Sequence, residues 1–295
     1  MSTVSLALDD AKLAQHYEEV SIDRQFESGK VLLRKLRLNA GERVLDVGSG
    51  TGLLAEYAAD IVGTSGSVEG LDPLPLRIDI ARRRSRPNLR FRVGNALDLG
   101  NIEDATYDVV YLNAVFHWLP EKLGPLHSFL RILKPGGRLG ISTSAIDHVG
   151  TLETIRRQVL SAKPYDAYPD VARPASHHVT LDELRALFGK VGFDSLSIDL
   201  IPNEAVYTNP AAVIDFVQAS SFGNFLGHIP AALRDRARAD IETELENRRT
   251  PQGILVRGTR VIAIAVKPVR VDESPSCLPT SNACARCYGG NGFAP

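Results

Sequence analysis

Cysteine is scarce in this chain of 295 residues: only Cys277, Cys284 and Cys287 occur, all within the last nineteen positions. A disulfide framework therefore cannot hold the preceding fold together. Long apolar runs are also missing, and none approaches the ~18 residues of a membrane span. The amino terminus lacks the basic start of a signal peptide and carries Asp9 and Asp10 early. We expect a cytoplasmic protein without membrane association.

An excess of charge of either sign is absent as well, since 34 Lys and Arg residues stand against 35 Asp and Glu residues. The net charge of −1 argues against a strongly basic face for nucleic acid. Apolar residues form 44% and charged residues 23% of the chain, which is ordinary for a folded globular protein. A chain of this length buries roughly 75% of its unfolded surface, so one large domain can build its own core.

Short β-rich runs alternate with helical stretches between residues 43 and 144. The predicted strands are 43–47, 67–71, 89–93, 107–112 and 138–142, the last leaving a turn at 134–137. Strands separated by helices predict right-handed βαβ units and a parallel sheet. Two further strands, at 193–201 and 260–266, bring the total to seven. The predicted fold class is therefore α/β, a Rossmann-like doubly wound sheet.

Other segments surround this core. Residues 1–40 predict an N-terminal helical lid, and residues 41–270 the α/β domain, with helical inserts at about 146–178 and 203–258. Residues 271–295 are poor in apolar side chains and predict a flexible tail. The adjacent His177 and His178 lack a third ligand at a suitable spacing, so a surface loop is favoured over a metal site there.

A glycine-rich loop joins the first strand to the first helix after it. The loop contains Asp46, Gly48, Ser49, Gly50 and Gly52. Glycine lets the backbone turn tightly and approach a ligand closely. The dinucleotide-binding fingerprint requires a glycine at its sixth position, where this chain has Leu53. The loop therefore predicts a nucleotide-like ligand outside the common dinucleotide class.

This loop resembles motif I of the class I S-adenosylmethionine-dependent methyltransferases, in their small-molecule, type 11 and UbiE-like branch. Asp72 follows Gly52 by twenty residues, and the turns at 94–98 and 133–137 fall at that family's spacing. The resemblance covers about residues 30–145 and implies a seven-stranded sheet with its last strand antiparallel. It also implies S-adenosyl-L-methionine as cofactor, a small-molecule acceptor, and a monomer or homodimer. A Rossmann-like oxidoreductase or non-catalytic sensor with another nucleotide remains the alternative.

The resemblance implies roles for residues along the cofactor. Asp72 would accept hydrogen bonds from the ribose hydroxyls, and Pro73 and Leu74 would pack against adenine. Asn95 and Ala96 would read the adenine edge, Asn95 standing where the family often has Asp; an Asn carbonyl still accepts a bond from the adenine amino group.

The methionine end of the cofactor involves residues from two regions. Asn113, at the end of the fourth strand, would lie beside it. In the small-molecule branch, a Tyr and a Gln of the lid line this end, and Tyr17 and Gln25 are the matching candidates here. A surface helix packed through Val20 and Phe26 would explain the same segment equally well.

Candidates for the acceptor side follow the fourth strand and occupy the inserts. His117 either acts as a general base or hydrogen-bonds locally. Trp118, Tyr165 and Phe222 either line an acceptor pocket or belong to the core. In-line methyl transfer depends mainly on alignment and needs no shared catalytic triad. The sequence therefore leaves the identity of the acceptor open.

The three cysteines allow a second substrate class. Thiolates bind soft, thiophilic elements, so Cys277, Cys284 and Cys287 could hold trivalent arsenic as a substrate. The chain also shows a weaker resemblance to fungal and bacterial arsenite methyltransferase-like proteins. The better-known members of that group carry their cysteines inside the folded domain, so an inert tail is the competing interpretation. No resident metal site is predicted.

Overall fold

The computed structural model describes residues 4–168 and 172–269. The predicted tail at 271–295, with Cys277, Cys284 and Cys287, lies outside the described residues.

A seven-stranded sheet forms the centre of the molecule. Its strands are β1 Arg43–Val47, β2 Ser67–Asp72, β3 Leu89–Val93, β4 Tyr107–Asn113, β5 Leu133–Thr143, β6 Ser195–Tyr207 and β7 Ile254–Val266. They lie in the order β3-β2-β1-β4-β5-β7-β6. The first five strands pair in parallel, whereas β7 runs antiparallel to both β5 and β6. The predicted fold class, including the antiparallel last strand, is confirmed.

Helices cover both faces of the sheet and build the lid and inserts. They are α1 Ala11–Ser21, α2 Glu27–Leu36, α3 Leu53–Val62, α4 Pro75–Ala81, α5 Leu123–Ile132, α6 Thr151–Leu160, α7 Leu181–Val191, α8 Pro210–Ser220, α9 Asn224–Gly227 and α10 Ala231–Glu246. A π-helical segment, Ile22–Phe26, joins α1 to α2. A capping box formed by Thr180 and Glu183 begins α7.

Alternating apolar side chains divide the core into two layers. In β1, Val44 packs in the layer formed with α2, α3 and α4, whereas Leu45 packs in the layer formed with α5 and α7. Val109 and Val110 of β4 divide in the same way. Successive side chains of a strand point to opposite faces, so buried strands need apolar residues at consecutive positions. A third cluster lies among α6, α8 and α10.

The predicted turn at 134–137 lies inside a strand. β5 begins at Leu133, and its pairing with β4 shifts register between Tyr107 and Val109. Gly136 adopts a φ of 74° within the irregular stretch. The glycines and proline at 134–137 therefore mark a β-bulge within β5 and not a turn before the strand. A bulge accommodates extra residues without ending the pairing of the two strands.

The last two strands are longer than the sequence predicted. β6 and β7 remain paired from Ile201 opposite Arg260 to Tyr207 opposite Ile254, beyond the final β5–β7 pair of Thr143 and Val261. We call residues 201–207 and 254–260 the arm. Residues 203–207 and 254–258, at the margins of the predicted insert, therefore belong to strands, and α8–α10 occupy the stretch between the two arm strands. The proline and two polar residues at 202–204 have low strand propensity, so the sequence did not predict a strand there. Cross-strand pairing stabilises it nevertheless.

Within the described ranges, every helix is too short or too polar to cross a lipid bilayer.

Leu36→Ala should destabilise the fold strongly. Leu36 is fully buried, and a Cβ at Gly140 of β5 would lie 2.6 Å from its Cδ1, so α2 docks through this side chain onto the glycine. We expect a loss of about 2–5 kcal/mol, the usual range for such a truncation. Urea unfolding measures it, with Leu200→Ala on the exposed surface of β6 as control. An equal effect of the two substitutions would contradict the packing described.

Candidate functional site

The site lies where the strand order reverses. β1 stands between β2 and β4, so the chain leaves β1 toward one edge and returns at β4 toward the other. Crevices at such switch points, outside the carboxyl ends of the strands, bind ligands in open α/β sheets. The loops after β1, β2 and β4 meet at this position.

The glycine-rich loop after β1 packs too tightly for side chains. Gly48 has a φ of 77°, and a Cβ there would lie 2.2 Å from Cγ2 of Val115. A Cβ at Gly52 would lie 2.7 Å from Cζ of Phe91. The Gly48 N–H donates to the Leu71 carbonyl at 2.6 Å, which ties the loop to β2. The loop backbone is thus fixed beside the crevice.

Asp72 connects the loops after β1 and β2. Its Oδ2 accepts from the Gly50 N–H and its Oδ1 from the Leu74 N–H, both at 2.9 Å. Burial raises the pKa of this carboxyl above its usual range, although both backbone hydrogen bonds and the Arg77 guanidinium lower it. Each carboxylate oxygen has a further lone pair to accept a hydroxyl from a ligand.

A cavity of about 570 Å³ opens beside Asp72. This volume lies in the range of small-molecule and cofactor sites. Most of the predicted cofactor residues line it: Tyr17, Gln25, Gly48, Gly50, Asp72, Pro73, Leu74, Asn95, Ala96 and Asn113. We call it the cofactor cavity. Gly52 is not among its lining residues; it precedes the first residue of α3 with a φ of 89°. Asn95 closes its own turn, since its Oδ1 accepts from the Leu97 N–H at 2.9 Å.

A small adjoining cavity of about 30 Å³ lies against the end of β1 and is lined by Asp46, Ser49 and Tyr17, among others. Asp46 accepts from the Tyr111 hydroxyl at 2.8 Å, and burial raises the pKa of Asp46 to about 7.

Three buried oxygens belong to residues that line this small cavity: Gln25 Oε1, Ser49 Oγ and Asn113 Oδ1. Among the described residues none of these atoms has a hydrogen-bond partner. The Asn113 side-chain Nδ2–H donates instead to the backbone carbonyl of Gln25 at 3.1 Å. Buried polar atoms are normally bonded, so three orphans in one place indicate a missing ligand. Acceptor oxygens beside a carboxyl group suit a cationic ligand group such as an ammonium.

The lid is held over the cavity by Arg77 of α4. Its buried guanidinium forms an ion pair with Asp9 (2.9 Å between Nη2 and Oδ1) and donates to the Ala219 carbonyl at 2.8 Å. It also lies 4.3 Å from the centre of the Tyr17 ring. Arg77 therefore joins the N-terminal segment, α4 and α8. No sequence pattern marked this residue, because arginines in a helix are usually exposed.

Two of the predicted acceptor-side aromatics lie together. Trp118 and Phe222 both line the cofactor cavity, and their ring centres are 4.9 Å apart in an edge-on arrangement. Tyr165 lies elsewhere: it is buried in the insert core, and its hydroxyl donates to Asp240 at 2.6 Å. It is not among the described residues that line either cavity, because it anchors the 3₁₀ turn after α6 onto α10.

His117 is partly buried beside the cofactor cavity and is not one of its lining residues. Its Nδ1 lies 3.1 Å from Thr143 Oγ1, and its ring stacks on His178 at 4.9 Å between centres. Burial lowers the pKa of His117 well below its usual value, and His178 and Lys122 lower it further. The stack with His178 was missed, because the sequence indicated a surface loop there. No cluster of three metal-ligating side chains occurs in the described part of the chain.

Comparison with known proteins connects this geometry to a family. Residues 45–141 match a family model described as a methyltransferase domain. An arsenite methyltransferase of Halobacterium salinarum is 32% identical over 54% of this chain, which spans 39% of that protein's length. A trans-aconitate 2-methyltransferase of Rhizobium rhizogenes is 28% identical over 83% of this chain and 95% of its own length. A demethylmenaquinone methyltransferase of Lactobacillus johnsonii is 31% identical over 44% of this chain and 57% of its own.

Solved structures share the fold. The YcgJ protein of Bacillus subtilis superposes with a TM-score of 0.57 at 18% identity, over 82% of this chain and 98% of its own. A phosphoethanolamine N-methyltransferase of Haemonchus contortus, solved with S-adenosyl-L-methionine, gives a TM-score of 0.53 at 18% identity, over 82% and 53% of the two chains. At this level of identity the likeness concerns the fold.

The stacked histidines should make stability fall in mild acid. The pKa values of His117 and His178 are lowered by burial, so below pH 6.5 the unfolded chain binds more protons than the folded chain. We therefore expect these two histidines to contribute a loss of stability as the pH falls from 7.5 to 5, whereas Asp46 and Asp72, whose pKa values are raised by burial, act in the opposite direction. The His117→Asn, His178→Asn double variant lacks only the histidine contribution, so its stability should fall less, or rise more, than that of the wild type over this range. Urea unfolding at both pH values measures this. An exposed-site control, His127→Asn, should behave as the wild type, and an unchanged pH response of the double variant would contradict the assignment.

Proposed function

The chain carries a class I S-adenosylmethionine-dependent methyltransferase domain, and on this premise we propose that it methylates a small organic acceptor. The cofactor, S-adenosyl-L-methionine, supplies a methyl group activated by its bond to a positively charged sulfur. The observation that supports the proposal best is the group of three unpartnered oxygens beside Asp46, at one end of a cavity that contains Asp72.

The chain's residues divide the binding of the cofactor among themselves. Asp72 accepts hydrogen bonds from the ribose hydroxyls through its remaining lone pairs. Leu74 and Ala96 line the part of the cavity suited to adenine, together with Pro73 and Asn95. At the other end, the free oxygens of Gln25, Ser49 and Asn113 accept from the α-ammonium group.

Alignment and exclusion of water are the protein's main contributions to the reaction. Tyr17 lies over the glycine-rich loop, with its Cε1 3.2 Å from the position of a Cβ at Gly50. Trp118 and Phe222 close the cavity from the other side. Holding two reactants in line can lower a barrier by about 7–11 kcal/mol. A closed lid also keeps water away from the reactive methyl group.

For His117 we propose a positioning role rather than the role of a general base. Its Nδ1 lies within hydrogen-bond distance of Thr143 Oγ1, its ring stacks on His178, and the residue does not line the cofactor cavity. A pKa well below the usual range also makes this imidazole a weak base. It holds the end of β5 and the loop around His178 beside the acceptor.

Asp72→Ala should weaken cofactor binding. Removing the carboxylate leaves the ribose hydroxyls and the Gly50 and Leu74 N–H groups unpaired, so we expect a loss of about 5–150-fold in affinity. Calorimetric titration with S-adenosylhomocysteine measures it, and Asp98→Ala, an exposed neighbour, serves as control. NADH titrated in parallel separates the alternative class. Tight binding of NADH without binding of S-adenosylhomocysteine would overturn the proposed function.

An organic acceptor is favoured over arsenite. The relative named for trans-aconitate matches 83% of the chain, whereas the first arsenite relative matches 54%. The described residues contain no cysteine to hold arsenic, since Cys277, Cys284 and Cys287 lie outside them. Cytoplasmic location and a monomeric or dimeric state stay predictions.

A turnover assay separates the two acceptor classes. We expect radiolabelled methyl transfer from S-adenosylmethionine to members of a small-metabolite panel that includes trans-aconitate, and none to arsenite with glutathione. Deletion of residues 271–295, and Cys284→Ser with Cys287→Ser, should leave the organic activity unchanged. The full chain could instead methylate arsenite and lose this activity in both the deletion variant and the double serine variant. That result would establish that the cysteine thiols hold arsenic as the substrate.

A further inference from the structure

A second large cavity, of about 490 Å³, lies next to the cofactor cavity. It is enclosed by the π-helical segment, α2, the arm and α8. Gln25 lines both cavities, so its side chain belongs to the wall between them. The lining of the second cavity includes the aromatic residues Tyr207 and Phe216. Several arginines also line it, and one of them, Arg24, lies over the Tyr207 ring. We call it the arginine cavity.

Arg260 is the innermost of these arginines. It is the last residue of the arm on β7, one position before the final β5–β7 pair. Its Nη1 donates to Ser142 Oγ at 3.1 Å, the hydrogen bond that fixes the side chain. Its Nε is buried and has no partner among the described residues. Burial lowers the pKa of Arg260 to about 10, so the guanidinium remains charged at neutral pH.

Two further arginines in this cavity lack a carboxylate partner among the described residues. Arg24 lies 3.5 Å from the centre of the Tyr207 ring and reaches the Val206 carbonyl, without an ion pair. Arg34 stands at the exposed margin on α2. The two carboxylates of the lining are already neutralised: Glu27 pairs with Lys30 at 2.5 Å, and Glu204 pairs with Arg257 at 2.9 Å. The cavity therefore has a net excess of positive charge.

Arg260 also lies close to the methionine end of the cofactor site. Ser142, its hydrogen-bond partner, stands opposite Asn113 in the β4–β5 pairing. The charge of Arg260 acts on Tyr17 and His117, which places it near both the lid and the turn after β4. A molecule in the arginine cavity is thus separated from the cofactor cavity by one residue, Gln25.

We propose that the arginine cavity binds an oxyanion of the methyl acceptor, so that the acceptor is a small acid anchored by Arg260. A guanidinium presents Nε–H and one Nη–H in parallel, which matches the two oxygens of a carboxylate or phosphate. In Arg260 the Nε–H has no partner among the described residues, while Nη1 is held by Ser142. Arg24, which lies over the Tyr207 ring, and Arg34 add positive charge, and the apolar part of the lining packs against the carbon skeleton. This inference rests on the proposed function and narrows its substrate class.

The test is calorimetric binding of defined anions to the full chain, with and without saturating S-adenosylhomocysteine. Glutarate and tricarballylate probe carboxylates, glycerol 3-phosphate probes phosphates, and dimethyl glutarate is the neutral control. Arg260→Met should weaken binding of the preferred anion about 10–100-fold, and Arg260→Lys should weaken it less. Arg90→Met, an exposed substitution on β3 with the same change of charge, should have no effect. All variants should bind S-adenosylhomocysteine as the wild type does, which shows that they are folded.

Each outcome of these titrations either supports or overturns the proposed oxyanion site. The inference is overturned if none of the anions binds, if dimethyl glutarate binds as tightly as glutarate, or if Arg260→Met retains wild-type affinity. Stronger binding of glycerol 3-phosphate than of both carboxylates, lost in Arg260→Met, supports the oxyanion site and assigns it to phosphate. A chain that fails to bind S-adenosylhomocysteine contradicts the proposed function alone, because the titrations without it still report on Arg260.

Discussion

The carboxylate of Asp72 and the two backbone N–H groups that it accepts hold the site together. Gly50 belongs to the loop after β1 and Leu74 to the loop after β2, so a single side chain fixes both loops relative to each other. The glycine-rich loop can approach a ligand closely only because it is held in this way. The same carboxylate keeps lone pairs for further hydrogen bonds, so in the proposed function the group that organises the loops also binds the ribose.

The lid depends on a second buried charge. Arg77 ties Asp9 and the carbonyl of Ala219 over the cavity and supports the ring of Tyr17. Removing one partner of a buried ion pair is costly, because the other charge remains without compensation. Arg77 therefore holds the N-terminal segment and α8 together beside the cofactor cavity.

The arm explains how one common fold acquires a particular acceptor site. The parallel strands end at the cofactor, but β6 and β7 continue past that edge and support the insert helices. Arg260 is placed where the arm begins, next to Ser142 and within range of Tyr17. The proposed cofactor site thus lies at the edge of the sheet, and the proposed acceptor site among elements added beyond it.

The sequence by itself determined the fold class and identified most of the residues that line the cofactor cavity, from the glycine-rich loop to Asn113. Those residues act through loops that directly follow strands, so local patterns and spacing place them. Only the tertiary structure decided the arm, the role of Arg77, the stack of His117 on His178, and the placement of Tyr165 in the insert core. Each of these depends on contacts between residues far apart in the chain. Arg260 and Arg24, for example, are 236 positions apart and share one cavity, and no local pattern encodes such a pairing.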